Sequence, residues 1–174
     1  MKLVVLGLVF AACVGVGVEM TTRLKCRVRL LEAMGSLVRD LRSRMLQLGM
    51  TLPEALDAWA QDPARPEGMM SACVQEELQA PGITLPEAWR RAVERLHREH
   101  RQFCCLSAED VGRLAEAGRY LGEMDMLSQE RSMDFVAHTL QEQIDQATAN
   151  ATRLGKLYNT MGVLTGIGLV VLLL

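Results

Sequence analysis

Close to each end, this chain has a long run without a charged side chain. Leu3–Val18 reads LVVLGLVFAACVGVGV, and Leu157–Leu174 reads LYNTMGVLTGIGLVVLLL. As helices, such runs reach roughly 24 and 27 Å, slightly short of a hydrocarbon core of about 30 Å. Flanking side chains snorkel and a bilayer thins, so both lengths suffice. The expectation is a transmembrane helix over residues 1–20, a second over 157–174, and a domain of residues 21–156 held between them. Lys2, the apolar run and FAAC (Phe10–Cys13) have the outline of a lipoprotein signal. The run continues past Cys13 unbroken, which favours a span.

Basic residues set the orientation. Arg23, Lys25, Arg27 and Arg29 follow the first run, and Arg153 and Lys156 precede the second. Lys and Arg stay on the cytoplasmic side. The central domain is therefore expected to be cytoplasmic, with both termini across the membrane. The five cysteines (Cys13, Cys26, Cys73, Cys104, Cys105) have no CxxC spacing, and on that side of a membrane they read as reduced thiols.

Between the spans the periodicity is helical. Leu24, Val28, Leu31, Met34, Val38, Leu41, Met45 and Leu48 recur every three or four residues. Met133, Val136, Leu140, Ile144, Ala147, Ala151 and Leu154 do the same before the tail. Only 4% of residues are aromatic, and the abundant Leu, Ala, Met, Glu, Arg and Gln favour helices over strands. The expected fold is all-α: an antiparallel cytoplasmic bundle of about six helices, with the two spans continuous with its long helices.

The pentapeptide TLPEA occurs at Thr51–Ala55 and again at Thr84–Ala88. In each copy the Thr suits the N-cap, Pro the first turn, and Glu the third helical position, where its carboxylate reaches back to the cap. Thr51 with Glu54, and Thr84 with Glu87, are thus expected capping boxes. Two copies are too few for a solenoid. DPARPEG (Asp62–Gly68) reads as a loop, with a helix over Met69–Gln79 after it; SAED (Ser107–Asp110) reads as another helix start.

Catalytic signatures are lacking. GVGVE (Gly15–Glu19) has no Lys-Ser/Thr step, and GxSxG and HExxH do not occur. A net charge of −2 does not mark a nucleic-acid binder. We expect no enzyme, cofactor or metal. His97, His100 and Cys104 share one helix face and define an alternative, a membrane-anchored signalling or sensor module with metal or redox input there. With Cys105 adjacent these would be four ligands on one helix, which do not easily close a tetrahedron around zinc. In the tail, Gly162 and Gly166 form a small-xxx-small pair suited to close helix packing in a membrane.

LGEMDMLSQERSM (Leu121–Met133), followed by Lys156-x-Tyr158 and a Gly-rich apolar tail from Gly162, resembles the stage III sporulation protein AB family of endospore-forming bacteria. The N-terminal span, the basic helix after it and TLPEAL also look like that family. The resemblance implies a component of the channel complex between mother cell and forespore, in the mother-cell membrane. It also implies a cytoplasmic domain similar to platform proteins of type II secretion and type IV pilus systems. The implied partners are the cytoplasmic ATPase of the complex, stage III sporulation protein AA, and other membrane components. Glu123, Asp125, Gln129 and Glu130, near a helix junction, are the candidate partner-binding residues; Asp125 also suits an N-cap for the last helix.

Overall fold

The computed structural model describes the backbone of residues 2–121 and 126–173, with side chains for residues 7–8, 10–121 and 131–171. The described chain is helical without a strand: α1 (Lys2–Leu48), α2 (Leu52–Ala60), α3 (Pro66–Leu78), α4 (Leu85–Glu99), a 3-10 turn (Phe103–Cys105), α5 (Ala108–Leu121) and α6 (Met126–Leu173). It divides into two units. One comprises Met1–Val28 with Asp145–Leu174, the other Arg29–Ile144.

The larger unit is built by consecutive packing of α2 on α3, α3 on α4 and α4 on α5. Its core takes Leu31, Met34, Leu37, Val38 and Leu41 from α1, all fully buried. Trp89, Ala92 and Val93 of α4, Leu114 of α5 and Met133 of α6 close it. The i, i+3, i+4 spacing of the α1 set explains why one face of that helix is dry. The stripe stops short of its expected end: Leu48 is 68% exposed. The helix ends there because Gly49 turns the backbone to φ +65°, a conformation Gly adopts without a Cβ penalty. α1 and α6 run antiparallel within this unit, since Arg42 pairs with Asp134 at 2.8 Å while Gly35 faces Ile144.

Side-chain bonds fix the helix starts, and the two TLPEA copies differ. At the first, the Glu54 carboxylate accepts from the Thr51 backbone N–H and hydroxyl, both at 2.8 Å. At the second, Thr84 has an N-cap backbone but makes no side-chain cap bond. Glu87 instead accepts from Arg90 at 2.7 Å and Arg91 at 2.8 Å. Two guanidiniums one turn ahead offer charge-assisted bonds, against a single amide behind. Ser107 makes the reciprocal box: its N–H and hydroxyl donate to Asp110 at 2.9 and 2.7 Å, and the Asp110 N–H donates back to the Ser107 hydroxyl at 3.2 Å.

α3 begins at Pro66, three residues earlier than its expected Met69 start. Pro occupies the first turn, where a missing N–H is harmless. The loop shrinks accordingly to Gln61–Arg65, tied by bonds from Asp62 N–H to Trp59 carbonyl and from Arg65 N–H to Asp62 carbonyl.

A stability series follows from these bonds. Replacement by Ala should cost about 1 kcal/mol at Ser107 and at Thr51, but only a few tenths at Thr84. Equal losses at Thr51 and Thr84, measured by denaturant unfolding of the full chain, would contradict the difference between the two copies. The Thr51 loss should also depend on pH. The Thr51 N–H, and then its hydroxyl, hold the Glu54 carboxyl below its ordinary 4.5. A depressed folded-state pKa contributes stability above the ordinary carboxylate range, and that contribution disappears as pH falls through the lowered value.

Candidate functional site

The unit formed by the chain ends is a helix pair held by small residues. A Cβ built on Gly17 would lie 2.8 Å from the Tyr158 carbonyl oxygen; one on Gly162 would lie 3.1 Å from the Cys13 carbonyl. A Cβ on Gly166 would meet the Phe10 ring at 2.7 Å, and one on Gly155 the Thr21 methyl at 3.2 Å. The Thr21 hydroxyl lies 2.9 Å from the Gly17 carbonyl of its own helix and 3.3 Å from the Gly155 carbonyl of the other. Position numbers rise on α1 as they fall on α6, so the pair is antiparallel. Gly17 was not identified beside Gly162 and Gly166 as a seam residue from the sequence. The signal was the four-residue spacing of Cys13, Gly17 and Thr21.

Large apolar side chains point away from this seam. Leu8, Val16, Leu164, Ile167 and Val171 are all at least half exposed. Within Arg131–Val171 an 18-residue window is long and apolar enough to cross a membrane, and 11% of it is buried. A core helix of a soluble protein buries most of such a window, so the apolar surface here is unsatisfied by the chain itself. The expected first span includes residues 2–6 and 9, whose side chains lie outside those described.

Glu123 and Asp125 lie outside the described residues. Gln129 and Glu130 fall in the first turns of α6, and their side chains are likewise outside the description. His97, His100 and Cys104 do not share one helix face: α4 ends at Glu99, His100 is extended, and Cys104 falls in the 3-10 turn. The His97 ring Nδ1 lies 3.0 Å from the Phe103 carbonyl oxygen, and the Cys104 thiol is 3.5 Å from the carbonyls of His97 and His100. Among the described residues no group of three or more His, Cys, Asp or Glu is placed to hold a metal ion.

Two polar clusters stiffen the larger unit. Asp40 on α1 accepts from Trp59 Nε1 at 2.6 Å and from Arg44 at 2.5 Å, and Arg65 stacks 5.4 Å above the Trp59 ring. On α4, Arg95 reaches Glu76 at 2.9 Å, Glu77 at 3.5 Å and Glu99 at 3.3 Å. Glu76 first, then Cys73 and Glu99, raise its pKa further above the ordinary guanidinium value. Both clusters join neighbouring helices, a structural duty. The surface left without such an account lies between α5 and α6, where Phe135 is exposed beside Tyr120.

Compared with known proteins, the chain matches the family model for stage III sporulation protein AB over residues 2–174. No curated protein and no solved structure matches it.

Proposed function

The chain belongs to the stage III sporulation protein AB family, and from that premise we propose that it is a non-enzymatic membrane scaffold of the channel complex between mother cell and forespore. In this reading it couples the cytoplasmic ATPase, stage III sporulation protein AA, to the other membrane components. The observation that carries the reading is the antiparallel pair at the chain ends, glycine-seamed inside and apolar outside. Small residues let helices approach where lipid supplies no hydrophobic drive between them. Residues 1–20 and 157–174 then span the bilayer, and residues 21–156 stand in the cytoplasm of the mother cell, as the Arg and Lys flanks favour. A hairpin anchor carrying a helical cytoplasmic domain is suited to holding a soluble motor at a membrane.

The acidic junction of Glu123, Asp125, Gln129 and Glu130 is the proposed contact for the ATPase, through charge-assisted bonds to a basic surface. The test is isolation of the full chain from sporulating cells, with an affinity tag in the exposed Pro81–Gly82 turn. The ATPase and membrane components should copurify. Asp125→Asn, which can still cap a helix, should reduce ATPase recovery while leaving the thermal midpoint in place. Recovery of the tagged chain alone, after cross-linking in cells, would overturn the scaffold reading.

A further inference from the structure

Arg153 and Lys156 stand three residues apart on α6, so one face of the helix carries both, with about 5–6 Å between their Cβ atoms. Both are exposed, and neither forms an ion pair among the described residues. No acidic residue follows Asp145 in the sequence, so nothing on this stretch of α6 neutralises them. The same face continues in steps of three or four residues through Thr160, Leu164, Ile167 and Val171. The Thr160 hydroxyl donates to the Lys156 carbonyl at 2.9 Å and is thereby satisfied within the helix. Leu164, Ile167 and Val171 are 62%, 50% and 71% exposed. The contacts of α6 with α1 are taken by another face, that of Gly155, Gly162 and Gly166.

The outer strip of α6 is thus a pair of unneutralised cations followed by a run of exposed aliphatic side chains. From Thr160 to Val171 it extends about 16 Å at 1.5 Å per residue, close to half of a hydrocarbon core of about 30 Å. That is the depth of one leaflet, with the cations at its headgroup level. A soluble anion would use the cations and leave the aliphatic run bare. A zwitterionic lipid would cover the run but bring its own cation up to Arg153 and Lys156. A second copy inserted in the same orientation would set the same two cations against them. An anionic phospholipid satisfies both halves at once. We infer that this strip holds an anionic phospholipid of the cytoplasmic leaflet, with its phosphate between the Arg153 guanidinium and the Lys156 ammonium and an acyl chain along Leu164, Ile167 and Val171. The planar guanidinium takes two phosphate oxygens and the ammonium adds a point charge. The inference rests on the membrane-hairpin reading and adds to it a ligand class and the residues that select it.

The experiment titrates the full chain in detergent micelles with phosphatidylglycerol or with phosphatidylcholine of the same acyl chains, and counts bound lipids by native mass spectrometry. Phosphatidylglycerol should bind about tenfold or more tightly than phosphatidylcholine. Lys156→Gln and Arg153→Gln should each reduce that preference by about fivefold, and the double variant should abolish it. Lys156→Arg keeps the charge and should keep the preference. Arg23→Gln is the control: it removes one cation from the same flank, but from α1, where Arg23 already pairs with Glu19 at 3.0 Å. It should leave the preference in place. Glycerol 3-phosphate, the headgroup without its chains, should not displace the lipid. Equal binding of the two lipids by the wild type, an equal loss in Arg23→Gln and Lys156→Gln, or displacement by glycerol 3-phosphate would each overturn the inference while leaving the hairpin reading intact. A chain that stays soluble and lipid-free without detergent would overturn both.

Discussion

Gly68→Ala should undo the Arg29–Ile144 unit more than any other single methyl added to it. A Cβ at this position would collide with the Asp62 carbonyl oxygen, and would lie 2.7 Å from both the Asp62 carbonyl carbon and the Trp59 carbonyl oxygen. All three atoms are backbone. The Asp62 oxygen already accepts from Arg65, and the Trp59 oxygen from Asp62, so moving either breaks the turn between α2 and α3. Overpacking of a flexible side chain costs about 1–3 kcal/mol; against fixed backbone the cost should be about 3 kcal/mol or more. For a domain stable by about 5–15 kcal/mol, that is a large share. A fall in thermal midpoint of about 10 °C or more is expected for the full chain. Gly112→Ala is the control, because nothing lies within 4 Å of its added Cβ. In the interior of α5 that change should stabilise by about 0.5–1 kcal/mol. A Gly68→Ala midpoint within a degree or two of the wild type would contradict the close approach of α3 to the turn.

Trp89→Ala should cost about 3–5 kcal/mol. The ring is fully buried, and its Nε1 donates to the Leu114 carbonyl at 2.8 Å. It lies against Gly118, where an added Cβ would meet its Cδ1 at 2.5 Å and its Cγ at 2.6 Å. This contact is what sets α4 on α5. Trp89→Phe keeps most of the volume and loses the N–H, so it should cost about 1–2 kcal/mol. Gly118→Ala should cost about 1–3 kcal/mol with Trp89 present. In a Trp89→Leu background the added methyl no longer meets an indole, and the loss should shrink. Strict additivity in that double-mutant cycle would contradict direct packing of the ring on Gly118.

The parts of this molecule that follow from local chemistry were readable before folding. The apolar stripe Leu31, Met34, Val38 and Leu41 needed only its spacing, and all four are buried. Thr51, Ser107 and their acidic partners sit three residues apart, so one turn of helix brings them together. Competition is harder to read. Glu87 has Thr84 behind it and Arg90 and Arg91 ahead, and only the folded geometry shows that the arginines win. Pro66 and Gly68 look like loop residues in DPARPEG, yet one opens α3 and the other admits the backbone of the preceding turn. The glycine seam was half legible. Gly162 and Gly166 stand out in the tail, whereas Gly17 acquires meaning only when α6 lies across it. The α5–α6 cleft had no signal at all, because Tyr120, Phe135 and Gln143 come together through packing.

A scaffold that holds a cytoplasmic motor requires one geometry above all: both ends in the bilayer and the Arg29–Ile144 unit on the cytoplasmic face. Cys104 is exposed and reports on that face directly. Cys73 gauges integrity, because burial pushes its thiol up to about 11 and maleimides react with thiolate. The measurement treats intact and permeabilised cells with a membrane-impermeant maleimide and reads each cysteine peptide by mass spectrometry. The account predicts no label on Cys104 in intact cells, strong label after permeabilisation, and little on Cys73 in either. Labelling of Cys104 in intact cells, with Cys73 still protected, would contradict it.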